Sequence, residues 1–443
     1  MKSPIIIIGG GLAGCEAAWQ LAARNVAVEL YEMKPARFSP AHKSPLLAEL
    51  VCSNSLRSNN IENAVGLLKE EMRRLGSLVM EAADATAVPA GKALAVDRDK
   101  FSAYIEKKLS SRENLRIIRH ELKNIPDDRL VIVATGPLTS DALAQIISGM
   151  TGSGYLYFYD AISPIIDGAS INDAKVFRAS RYQSEAGDYL NCPMDESEYR
   201  EFWKALTEAK EVPLKTFEEI KCFEGCLPVE TIAKRGVQTL LFGPMKPVGL
   251  KDPQSGRQPF AVVQLRQEDL NQSYFNMVGF QTKLTWPEQQ RVFRMIPGLE
   301  RAEFTRYGSM HRNTFINAPR ILKKTLQLKS FDRVLFAGQI AGVEGYVESS
   351  SLGIIAGLNA LFLSRGAIMT EPPETTAVGA LVRHLTDTKP DRFQPMNVNF
   401  GLFPTLEKRI HKRFRGEKYA ERALNDLSLW QQTLVNDGVP KIE

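Results

Sequence analysis

Along the chain the apolar residues come in short bursts, and the first is the most informative. Ile5 to Ile8 form an unbroken β-branched run of the kind buried on both faces of a parallel sheet. Helix formers follow in "CEAAWQLAARN" (15–25), and "VAVELYE" (26–32) reads as a second strand. The order strand, glycine turn, helix, strand predicts a βαβ unit with its glycines where the first strand meets the helix. "DRLVIVATGP" (128–137) predicts another buried strand ending in a glycine turn, and 331–364 predicts a strand, a glycine-rich loop and a helix. Between these, "MDESEYREFWKALTEAKE" opens with a capping-box pattern, Asp195 to Glu198, and predicts a helix. "TLLFGPMKP", "FAVVQLRQED" and "FNMVGFQTKL" predict antiparallel strands. The expected fold is therefore α/β, a doubly wound, Rossmann-like domain of the glutathione-reductase type with an α+β insertion. Residues 1–95 and 320–443 are expected to form the first unit, joined by the 128–140 strand, and 96–319 the insertion.

Composition narrows the class. A chain of 443 residues, 44% hydrophobic, buries a substantial core. The four isoleucines near the start are too short for a signal-peptide apolar region, so no membrane association and a cytoplasmic location are expected. Five irregularly spaced cysteines without a CxxC pair argue against a disulfide framework and against a zinc site. The net charge of +5 is a weak sign of a polyanionic partner, but its distribution says more. Lys408, Arg409, His411, Lys412, Arg413, Arg415 and Lys418 crowd into "EKRIHKRFRGEKYAER", and "RILKKTLQLK" (320–329) is a second cluster. Either run is a solvated helical face or a phosphate contact.

Gly9, Gly11 and Gly14 match G-x-G-x-x-G, with Gly10, Leu12 and Ala13 between them. Gly9 suits a tight turn, Gly11 a close approach to pyrophosphate, and Gly14 the packing of helix on strand. Glu32 ends the second strand where an acid binds a ribose hydroxyl. The fingerprint serves NAD and FAD alike. The second glycine-rich junction, with Gly338 and Gly342 in "LFAGQIAGVEGY", suits the longer cofactor FAD, and no second complete fingerprint between 150 and 330 marks a dedicated NADPH domain.

Cys15 and Cys192 read as small buried residues. Cys52 opens the polar run Ser53, Asn54, Ser55 and Arg57, whose donors and cation are expected to lower its pKa. Cys222 and Cys226 in "KCFEGCLPVE" stand four apart, and spacing alone leaves core filler, redox pair and nucleophile all open.

"AELVCSNSL", "VPAGKALAVDRDKFS", "FEGCLPVE", "VGFQTKLTWPEQ", "YGSMHRNTFINAP" and "AGQIAGVEGYVES" resemble segments of the folate- and FAD-dependent tRNA uracil-5-methyltransferases, and the likeness spans nearly the whole chain. The resemblance implies 5-methyluridine formation at position 54 of the tRNA T loop. 5,10-Methylenetetrahydrofolate would give the carbon and NAD(P)H the electrons through FAD, with no obligate protein partner. It implies Cys226 as the uracil nucleophile, Cys52 as a second functional thiol, His311 as a pterin-stacking residue and Cys222 as a bystander. Lys408, Arg409, Lys412, Arg413 and Arg415 are the expected RNA contacts. The rival expectations are the same chemistry on a uridine of large-subunit rRNA, a flavin disulfide reductase, and an RNA-binding protein with a structural flavin.

Overall fold

The computed structural model describes residues 3–152, 156–181, 187–213, 227–407 and 410–442. Its first sheet has six strands in the order Gln327–Leu328, Phe331–Phe336, Val131–Val133, Ile5–Ile8, Val28–Tyr31 and Leu115–Ile118. All neighbours run parallel except the terminal Gln327–Leu328 hairpin partner. Ile5 to Ile8 are all buried, as a central parallel strand demands. Leu115–Ile118 belongs to this sheet, so its chain continues past residue 96. Helix Leu12–Ala22 follows the first strand and packs on helix Tyr346–Arg365. The latter is long and apolar enough to cross a membrane, yet 89% of its apolar window lies buried inside the protein, which marks it as a core helix.

The second unit is a six-stranded antiparallel sheet, in the order Phe177–Ala179, Tyr189–Met194, Ala261–Gln267, Tyr274–Met277, Ile165–Asp167 and Phe304–Arg306. Helices Glu196–Glu208 and Trp286–Phe293 share a core with it, centred on Tyr199, Phe202, Phe280 and Phe293. The expected capping box is present. The Asp195 carboxylate accepts from the Glu198 amide at 2.8 Å, and Glu198 accepts from the Asp195 amide at 2.9 Å, an arrangement worth about 1 kcal/mol. The antiparallel pair Leu156–Ile162 and Ser309–Phe315 carries the chain between the units.

Two strand expectations change. "TLLFGPMKP" is a 3-10 turn, Thr239–Phe242, because Gly243 and the prolines at 244 and 247 interrupt any ladder; Leu240 and Met245 reach the core while Phe242 is left 81% exposed. "FNMVGFQTKL" gives a strand only to Met277, since Gly279 turns at φ +77° against Pro244.

Candidate functional site

A cleft of about 1120 Å³ opens at the carboxyl ends of the parallel strands, where the strand order reverses on either side of Ile5–Ile8. Gly9, Gly10, Gly11, Leu12 and Ala13 form its floor, and Glu32 and Gly338 its flanks. Gly9 lies at φ +106°, and a Cβ there would meet the Ala134 carbonyl oxygen at 2.5 Å. A Cβ on Gly14 would sit 1.8 Å from the Gly9 oxygen, so Gly14 serves the helix–strand approach and does not line the cleft. Beside Gly11 a Cβ would meet nothing within 4 Å. That open space faces the first amides of helix Leu12–Ala22, which are not consumed within the helix and suit an anion. The Glu32 carboxylate accepts from the Gly10 amide at 2.8 Å and the Lys34 amide at 2.9 Å, which fixes it at the glycine turn. A cradle shaped by backbone clashes, an open glycine at a helix N-terminus and a fixed acid together fit FAD. Gly342, expected to bind cofactor, is off the cleft wall: its space is filled by Phe393, whose ring a Cβ would meet at 2.5 Å.

The far end of the cleft brings Cys52 into view. Val51 and Tyr346 line the wall, and the Tyr346 hydroxyl accepts from the Cys52 amide at 2.7 Å and the Ser53 amide at 3.3 Å. From the second sheet, Arg266 donates to Asn54 Oδ1 at 2.7 Å and Ser53 Oγ at 2.6 Å. Asn54 in turn donates to the carbonyls of Val96 and Gln267, both at 3.0 Å. The loop carrying Cys52 is thus pinned by both units. Arg98, ion-paired to Glu268, and Arg306, which donates to the Ala41 carbonyl at 3.2 Å, complete a half-buried cationic rim.

The expected activation of Cys52 by its polar neighbours is not what this arrangement does. Burial, and then the Asp160 carboxylate, push the thiol up to about 12, with Arg98 opposing them. Arg57, the expected cation, is turned away into an ion pair with Glu348. At neutral pH Cys52 is therefore a thiol. Cys15 is buried in the first helix and donates to the Gly10 carbonyl at 3.3 Å, and burial raises its pKa. Cys192 is buried in the antiparallel sheet. Both behave as packing residues.

Cys222, Cys226, Lys408 and Arg409 lie outside the described residues. His311 lies on strand Ser309–Phe315, paired in register with Asp160, and its side chain is outside the description. Among the described residues of the basic run, Lys412 to Phe414 form a 3-10 turn, while Arg415 and Lys418, the latter paired with Glu421, lie in the helix Arg415–Asn436, so these residues do not share one continuous helical face. Arg413 lies over the Phe414 ring at 5.8 Å and Arg415 donates to the Ile410 carbonyl at 3.1 Å. Neither they nor Lys412 meet a carboxylate among the described residues. The 320–329 cluster does the opposite: Arg320 pairs with Asp391, Lys323 with Asp332 and Lys324 with Glu374. It is a solvated face.

Sequence reading missed Arg98, Arg266, Arg306 and Tyr346. Arg266 had a visible signal, a charge inside the apolar strand Ala261–Gln267, every residue of which is buried. The others come from separate segments and meet only in the folded chain.

The fold and cleft define a dinucleotide-binding protein of the FAD-binding, doubly wound class. A family model described as "Glucose inhibited division protein A" matches residues 4–367. The chain is 64% identical over 428 residues to the methylenetetrahydrofolate--tRNA-(uracil-5-)-methyltransferase TrmFO of Syntrophus aciditrophicus, covering 96% of this chain and 97% of that one. With the protein of the same name from Geotalea uraniireducens it shares 60% over 435 residues, 98% and 100% of the two chains. The chain belongs to this methyltransferase family, within the wider group of the family model. In solved structures, GidA of Aquifex aeolicus has the same fold, with a TM-score of 0.67 at 16% identity, covering 98% of this chain and 79% of that one.

Proposed function

We propose that the protein methylates C5 of a uridine in tRNA, taking the carbon from 5,10-methylenetetrahydrofolate, and that the target is uridine 54 of the T loop. The observation that carries this reading is near-full-length identity of 64% with a relative so named, on a chain whose cleft fits FAD. FAD, when bound, supplies the two electrons that turn the transferred methylene into a methyl group, drawn from NAD(P)H. A tRNA substrate supports a cytoplasmic location for the enzyme.

Uracil C5 becomes a nucleophile only after addition at C6, and a thiolate there leaves enolate character at C5. Cys226 is proposed for that addition. C5 captures the methylene unit; loss of the C5 proton and of the tetrahydrofolate amine leaves an exocyclic methylene on the C6 adduct, and two-electron reduction of that methylene to a methyl group expels the thiolate and restores the C5–C6 double bond. Cys52, held as a neutral thiol at the cleft, suits proton transfer better than attack. His311 is proposed to stack on the pterin, and Lys408, Arg409, Lys412, Arg413 and Arg415 to meet RNA phosphates. The test is incubation of Cys226→Ala and Cys52→Ala separately with an unmodified tRNA transcript, folate and NADPH, followed by mapping of 5-methyluridine. Loss of methylation in both, with the covalent RNA adduct absent only from Cys226→Ala, is expected. An adduct surviving in Cys226→Ala overturns the assignment, and 5-methyluridine appearing in rRNA but not tRNA overturns the substrate.

A further inference from the structure

Trp286 is out of place for a packing residue. It opens the helix Trp286–Phe293 with Pro287 behind it, and 63% of its surface is exposed. Its indole is not loose, however. It lies on the Tyr307 ring, centroids 5.1 Å apart and planes 13° from parallel, and Tyr307 stacks on Phe304 at 5.5 Å and 22°. Phe304 in turn leans on the core ring Phe293 at 6.4 Å. The Gln290 amide donates to the Tyr307 hydroxyl and holds that ring in place. The result is a graded aromatic column, anchored in the core of the second unit and ending in a wide π-face at the surface.

Its position ties it to the site. Arg306, next to Tyr307, donates to the Ala41 carbonyl, and His42 beside it lines the cleft. On the other side, the Lys283 carbonyl accepts from the Val212 amide at 2.8 Å and the Gln281 carbonyl from the Val229 amide at 2.7 Å. Lys210, whose carbonyl accepts from the Thr285 amide at 3.1 Å, is exposed, and its ammonium forms no ion pair among the described residues.

We infer that Trp286, backed by Tyr307, is a stacking platform for an unpaired nucleobase of the RNA substrate. The inference rests on the proposed RNA methylation and deepens it. A uracil that enters a cleft for chemistry leaves the stack it occupied, and the bases beside it lose a neighbour. An exposed, prepositioned indole restores that contact at small entropic cost, with no demand on base identity, because every base has a π-face. Lys210 adds a cation for the backbone at the platform's edge.

The experiment measures binding of an unmodified tRNA transcript to flavin-loaded wild type, Trp286→Ala and Trp286→Phe across several salt concentrations, with tryptophan fluorescence followed in parallel. Trp286→Ala is expected to bind roughly tenfold more weakly, Trp286→Phe to recover most of the loss, and the dependence of log affinity on log salt to stay unchanged, since stacking releases no counterions. RNA is expected to quench wild-type fluorescence and to lose that effect in Trp286→Phe, while the flavin spectrum stays the same in all three. Affinity within twofold of wild type in Trp286→Ala, or equal quenching in Trp286→Phe, overturns the platform even while wild type methylates tRNA. A wild type that dimerises through this face, with only the dimer sensitive to Trp286→Ala, also overturns it. If wild type binds no RNA at any salt, the functional reading itself fails, and the platform with it.

Discussion

Single side chains here are governed by how completely the fold removes them from water. Lys69 is the sharpest case. It is fully buried, donates to the Ser58 carbonyl at 2.5 Å and the Arg57 carbonyl at 3.5 Å, and burial followed by the Arg57 charge lowers its pKa to about 7. The folded protein therefore gives up this proton near pH 7, whereas the unfolded chain keeps it to about 10.4. Between those values the unfolded state binds more protons, so stability rises with pH across the window; below pH 7 the buried charge is a standing cost. Replacing Lys69 by Met should remove this slope. Thermal melts from pH 6 to 10 are expected to show wild type gaining on Lys69→Met as pH rises, and parallel profiles would refute the assignment. Cys52 follows the same logic with the opposite charge type: burial favours its neutral form, which is why polar neighbours in sequence were a poor guide to its chemistry.

Between elements, the decisive contact is the reach of strand Ala261–Gln267 across to the Cys52 loop. Arg266 satisfies Asn54 and Ser53 with two separate nitrogens, a fork that a lysine cannot reproduce. Arg266→Lys is expected to leave the glycine cradle and flavin binding intact but to cut methyl transfer by about tenfold to hundredfold, because the loop loses its fixed geometry. Amide exchange at residues 52–55 should rise in the same variant; unchanged exchange with unchanged turnover would show that the clamp is idle. This contact also marks the limit of what could be read beforehand. The Ile5–Ile8 strand, the glycine turn and Glu32 were legible because their chemistry is local and periodic, and the capping box of Asp195 and Glu198 for the same reason. The Arg98, Arg266 and Tyr346 surround of Cys52 was not, since it joins segments separated by up to 294 residues. The "TLLFGPMKP" expectation failed differently, as an apolar cluster whose glycine and prolines forbid the ladder its composition suggested.

At the scale of the whole molecule, the question is how a chain with a net charge of only +5 holds a polyanion. Several of its cations are committed internally: the 320–329 cluster is ion-paired, and Arg98 and Arg57 face buried carboxylates. The exposed group Lys412, Arg413 and Arg415 is different, for it sits at the start of helix Arg415–Asn436, where cations oppose the helix dipole and weaken the fold slightly. Glu417 in the first turn offsets part of that cost, but the three cations pair with no carboxylate among the described residues, which fits a role outside folding, and the positive end of the dipole adds to the attraction for phosphate. If Arg413 and Arg415 each neutralise one phosphate, the double variant Arg413→Ala, Arg415→Ala should lower the slope of log affinity against log salt by about 1.4 to 1.8. It should also weaken tRNA binding most at low salt, with thermal stability unchanged or slightly raised. This separates the basic run from Trp286, whose removal is expected to shift affinity equally at every salt concentration. A double variant that binds like wild type from low to high salt would leave the run as a solvated helix end and move the search for the phosphate contacts to the cationic rim around Arg306.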